Sequence, residues 1–142
     1  MESDLEQRRT RNSIVRDARE FSLLWRMWMW LLMAVNLVAP LFFLSRLEAW
    51  ATLGSYVIAA AVIVPLHRRL GWVRLLGVGH FVWLLLLPWL YFRALAGSPT
   101  GALYIWIWTV IWVDTVCLGI DLVDVFRYIS GERAPIVPRK QT

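Results

Sequence analysis

The sequence predicts an all-α integral membrane protein, a four-transmembrane-helix antiparallel bundle with both termini in the cytoplasm. Three observations predict it. Four apolar runs each reach the roughly 17 to 25 residues needed to cross a hydrocarbon core about 30 Å thick. Charged residues are only 18% of the chain and fall in short clusters between those runs, not along amphipathic faces. With 59% hydrophobic residues in 142, the chain carries more apolar surface than one soluble core of this size can hide.

Residues 1–22 form a polar N-terminal segment. Ser3 and Glu6 have the spacing of a capping box, and Ile14, Ala18 and Phe21 recur at helical spacing, so a short surface helix is expected there. The first apolar run follows a charged stretch, contains Arg26 and lacks a small-x-small cleavage site, so it should be retained as a helix. The four spans are expected at 23–44, 50–66, 70–92 and 101–125, within one transmembrane domain covering 23–125. Residues 126–142 form the tail, disordered from Ser130 onward, where Gly131, Pro135 and Pro138 oppose regular structure.

The connectors at 45–49, 67–69 and 93–100 are short, so consecutive helices must be antiparallel neighbours. Arg8, Arg9, Arg11, Arg16, Arg19 and Arg26 flank the first helix, Arg68, Arg69 and Arg74 the second connector, and Arg127, Arg133, Arg139 and Lys140 the tail. The first and third connectors hold only Arg46 and Arg93, which should snorkel outward. The positive-inside rule therefore puts both ends in the cytoplasm. Trp25, Trp28, Trp50, Trp72, Trp89 and Trp106 lie near proposed helix ends, where indoles favour headgroups, while Trp83 and Trp112 are deeper packing residues. Pro88 should kink the third helix, and Ala51, Ser55 and Ala59 give the second a small-residue contact face.

Ionisable groups at bilayer depth need partners, which makes them the chemically informative residues. Asn36, His80 and Asp114 fall near the midplane of their helices and are expected to form one buried polar network. Asp114, Cys117 and Asp121 share one stripe of the fourth helix. Asp121 lies at the depth of Arg26 and Arg74, so ion pairing among these three is expected. On an ideal α-helix Arg74 and His80 diverge by about 120°, which favours Arg26 as the partner of Asp121. Asp124 should be a solvated carboxylate near Arg127.

The net charge of +5 is topological, with anionic lipid headgroups and not nucleic acid as its counterpart. No cofactor or metal is expected: Cys117 is the lone cysteine, and His67 is interfacial while His80 is central, so the two cannot share a haem. Asp121 and Asp124 form a D-x-x-D pair, but Val125-Phe126-Arg127-Tyr128 follows in place of the glycine and further aspartates of the CDP-alcohol phosphotransferase signature. Phosphate-binding loops and nucleophile elbows are missing too, which weighs against an enzyme. Arginine outnumbers lysine fourteen to one, a codon bias that suggests a bacterial inner (plasma) membrane. The expected role is a non-catalytic accessory or self-assembling subunit, in a homo-oligomer or larger membrane complex. A proton or cation conduit, or pH-responsive element, built on His80 and Asp114 is the alternative, and a lipid-headgroup binder or enzyme comes third.

Overall fold

The computed structural model describes residues 22–97 and 99–133. The expected surface helix before residue 22 and the tail beyond Arg133 lie outside the described residues. Four helices are long and apolar enough to cross a membrane: α1 Leu23–Phe43, α2 Leu47–Leu70, α3 Arg74–Ala96 and α4 Gly101–Ile129. Among the described residues there is no strand.

Each helix end has a local cause. The Ser22 hydroxyl accepts the Trp25 amide at 3.4 Å and caps α1. Helix α2 carries Glu48 in its first turn and His67, Arg68 and Arg69 in its last, both favourable to the helix dipole. It runs through Pro65 and outlasts the expected span at both ends, stopping at Gly71, whose φ of 74° suits glycine alone. Helix α4 reaches Ile129, and the segment expected to be disordered from Ser130 is instead a capped turn as far as Arg133. Gly131 takes φ 114°, its N–H meets the Tyr128 carbonyl at 3.2 Å, and the Glu132 N–H meets that of Arg127 at 3.0 Å. This is a Schellman ending.

The contacts rise along one helix as they fall along the next, which makes the bundle antiparallel. Asn36 and Phe43 of α1 meet Asp114 and Trp106 of α4, while Glu48 and Ala59 of α2 meet Arg93 and Gly79 of α3. The core is the α-helical half of α3, with Trp83, Leu86, Leu87, Leu90 and Ala94, packed against Trp106, Ile107, Val110 and Cys117 of α4. Trp106, expected at the headgroup level, is a core residue. Of the two deep indoles, Trp83 is buried, whereas Trp112 is exposed on the apolar exterior.

The small-residue face of α2 is a helix contact, with Ser55 and Ala59 buried. A Cβ on Gly79 would lie 3.2 Å from the Ala59 carbonyl oxygen and would collide with Ile63, so α3 reaches this face only through glycine. Pro88 does not interrupt α3, which is α-helical from Trp83 to Ala96. Its irregularity comes earlier: Arg74–Val82 is a 3-10 helix of nine residues. Such runs seldom exceed four residues, and this one shapes the site.

Candidate functional site

Two polar contacts pin α4, and each depends on a departure from α-helical geometry. The first begins at Pro40, which has no amide proton. Just before it, over Ala34–Val38, α1 widens into a π turn in which the Ala39 N–H reaches back to the Ala34 carbonyl. In that register the next donor would serve Val35, but the next residue is Pro40. Trp106 of α4 fills the gap, its Nε1 donating to the Val35 carbonyl at 3.0 Å. Beside it the fully buried Asn36 donates from Nδ2 to Asp114 Oδ1 at 2.8 Å. Asn36 Oδ1 and Asp114 Oδ2 are buried without a hydrogen-bond partner.

The second contact follows from the 3-10 half of α3. At three residues per turn, side chains three apart eclipse, so Arg74, Gly77, His80 and Trp83 share one face. That face lies against the Cys117, Asp121 and Asp124 stripe of α4. His80 Nδ1 is 2.7 Å from Asp121 Oδ2, and Arg74 Nη1 is 3.4 Å from Asp124 Oδ1. With Asp121 as a carboxylate, His80 Nδ1 carries the proton and donates it. A Cβ on Gly77 would stand 2.7 Å from the Asp121 Cβ, so the missing side chain is what lets Asp121 reach the histidine. The His80 ring stacks on Trp83 with centroids 4.3 Å apart and planes 17° off parallel. Cys117 lies one turn before Asp121, with Sγ 3.6 Å from Asp121 Oδ2 and 3.9 Å from His80 Nδ1. An imidazole, a thiol and a carboxylate are thereby collected between two helices.

The expected network of Asn36, His80 and Asp114 is therefore divided. Asn36 and Asp114 pair with each other, while His80 turns to Asp121. The expected pairing of Arg26 and Arg74 with Asp121 is corrected as well: Arg74 goes to Asp124 and to Glu132 Oε2, each at 3.4 Å. Arg26 is exposed and makes no ion pair among the described residues. The cause is helical period. The α-helical angle that separates Arg74 from His80 does not apply here, because six residues of 3-10 helix are two complete turns. The readable signal was the Gly77-Val78-Gly79 stretch, where two glycines weaken the α-helix within three residues.

A third polar cluster was not foreseen. Arg93, expected to snorkel outward, directs Nε and Nη2 to Glu48 Oε1 at 3.1 and 2.8 Å. Arg46 approaches the other oxygen at 3.8 Å. Glu48 is only 3% exposed, so these arginines neutralise a buried acid where α2 begins and α3 ends. Its signal is a lone acid in the first connector, on the same side of the bundle as the arginine of the third. At the opposite end of the bundle, the α4 cap presents Glu132 to Arg74 and to Arg127, whose Nη2 is 2.7 Å away. The hydrogen bond from Arg127, with the charges of Arg127 and Arg74, holds the Glu132 carboxyl below the usual glutamate range.

Comparison with known proteins returned nothing: no family model matches the sequence, and no curated protein or solved structure is significantly similar to it. The fold defines the class alone, an all-helical bundle of four helices with membrane-spanning length and apolarity.

Proposed function

We propose that the chain is a non-catalytic component of a bacterial inner membrane, an accessory or self-assembling subunit with both termini in the cytoplasm. One observation carries this reading: the polar side chains within the spanning helices are largely engaged with one another. His80 with Asp121, Arg74 with Asp124, Glu48 with Arg93 and Asn36 with Asp114 each join two different helices. Groups committed in this way fix helix register. The three-residue connectors at 44–46 and 71–73 add no domain between these helices, and the exposed apolar side chains along them offer a surface for assembly. The exposed Arg68 and Arg69, at the end of α2, are the groups that would meet anionic lipid headgroups.

Native mass spectrometry of the protein from mild detergent tests the proposal. A fixed homo-oligomer or one recurring partner is expected, and a clean monomer alone would overturn it. Compartment-reporting tags at the two ends test the topology, and opposite reports would refute it.

A second reading, a proton or cation conduit or pH-responsive element, is favoured by the Asn36–Asp114 pair. Each residue is buried at the same depth and keeps one unpartnered oxygen. Proton flux into proteoliposomes, compared between wild type and Asp114→Asn, tests it. Equal flux in the two, or none in wild type, removes this reading.

A further inference from the structure

The geometry points to a divalent metal site of the zinc class formed by His80 Nδ1, Cys117 Sγ and the Asp121 carboxylate, with one coordination position left open. These three donor atoms lie within 4.8 Å of one another. Tetrahedral zinc, with bonds of about 2.0–2.1 Å to nitrogen, 2.3 Å to sulfur and 2.0–2.2 Å to oxygen, requires donor separations of about 3.6 Å for N···S, 3.6 Å for S···O and 3.4 Å for N···O. The structure has 3.9, 3.6 and 2.7 Å for these separations. The two sulfur distances are thus close to what the ion needs. The short one is a hydrogen bond, which lengthens by about 0.7 Å when a metal replaces its proton.

Donor chemistry narrows the ion. A thiolate beside an imidazole and a carboxylate suits zinc, and cobalt or cadmium as its substitutes, and suits magnesium and calcium poorly. Charge points the same way. A dication with one thiolate, one carboxylate and a neutral imidazole sums to zero, the value that a weakly polar interior tolerates best. Starting from neutral His80, binding expels the thiol proton of Cys117 and moves the imidazole proton from Nδ1 to Nε2, releasing one proton per ion. Of the neighbouring charged groups, Arg74 is paired with Asp124, while Asp114, one turn before Cys117, is held by the neutral Asn36 amide.

The donors are also held in place. Cys117 and Asp121 are one turn apart on α4, and the third donor comes from the facing helix. Trp83 fixes the imidazole plane by stacking, and Gly77 leaves room for the Asp121 side chain to come to the distance the site needs. The His80 and Asp121 side chains are 19% and 18% exposed, so the site lies partly open at the surface of the bundle. This site stands independently of the proposed function, because an assembling subunit and a conduit could each carry it.

Cobalt(II) is the probe, added to the full chain in lipid nanodiscs without a histidine tag and followed by absorption, with zinc(II) as competitor. We expect one cobalt per chain, intense tetrahedral bands in the visible, a sulfur-to-cobalt charge-transfer band in the near ultraviolet, and loss of all three on adding zinc. Cys117 is the only cysteine in the sequence, so that band in wild type assigns the thiolate without any variant. Cys117→Ser should remove the band. Asp121→Asn should weaken zinc binding by more than the roughly hundredfold that loss of an outer-sphere partner can cost. A wild-type cobalt spectrum that is weak and octahedral, or that lacks the charge-transfer band, overturns the site. Equal zinc retention by wild type and a Cys117→Ser variant of unchanged helicity overturns it as well.

Discussion

Helix α3 joins two kinds of packing in one continuous element. From Trp83 to Ala96 it is α-helical and buries leucines against α4. From Arg74 to Val82 it is a 3-10 helix and offers α4 an arginine, a glycine and a histidine. The same partner helix receives both halves, so the difference lies in the backbone period of α3. At 100° per residue the apolar side chains form the seam, whereas at 120° every third residue faces α4 and the polar groups align. A tighter helical turn thus selects which side chains become neighbours, and it does so in the half that carries the ionisable groups.

The largest expected effect breaks the 3-10 half. Gly77→Ala places a Cβ against the Asp121 Cβ, which is not the far end of a flexible chain and cannot swing aside. We expect a loss of about 3 kcal/mol, the upper end for overpacking, together with loss of the His80–Asp121 hydrogen bond. Titration from mild into denaturing detergent measures the first, and the chemical shift of the His80 ring proton the second. Unchanged values would mean that the two halves pack alike.

Leu90→Ala probes the α-helical half. Leu90 is fully buried, but lipid offers an apolar side chain an environment as favourable as the core does. Only the cavity term remains, so about 2 kcal/mol is expected, the low end of the range for this substitution. A loss near 5 kcal/mol would show that the leucine seam dominates the bundle.

Gly119→Ala sharpens the role of glycine by contrast. Its Cβ would meet nothing within 4 Å, so the same change that harms position 77 should stabilise α4 here by about 0.5 kcal/mol through backbone entropy. A cost similar to that of Gly77→Ala would reveal a neighbour outside the described residues.

The smallest effect concerns the outermost ion pairs of the polar face. Glu132 has its carboxyl held below the ordinary value of 4.5 by Arg127, so its contribution is present above that value and is lost as pH falls through and below it. The protection factors of the amides at 130–133, taken relative to intrinsic exchange at each pH, should fall on acidification in wild type and show no such step in Glu132→Gln. Parallel pH profiles would refute the assignment.

The four helices of membrane-spanning length were legible because length and apolarity are summed over about twenty residues, which no local irregularity overrides. Their ends were less so. Pro65 and the His67-Arg68-Arg69 run looked like a terminus of α2, whereas basic residues favour the last helical turn and the stop is Gly71. In the site, counting depth put Asn36 and Asp114 at one level, and they are hydrogen-bonded. The same depth count gives His80 the wrong partner, because it holds only for an α-helix and Arg74–Val82 is 3-10. Glu48 was overlooked because a charge in a connector reads as solvated, and only the fold brings Arg93 over it.

The Val35 carbonyl, left without a backbone donor by the π turn and Pro40, is covered by the Trp106 indole. Synthesis proceeds from the N-terminus, so the first helix emerges with an exposed acceptor that only the final one can quench. Until residue 106 arrives that carbonyl lacks its indole partner, so closure of the bundle and satisfaction of the first helix are one event.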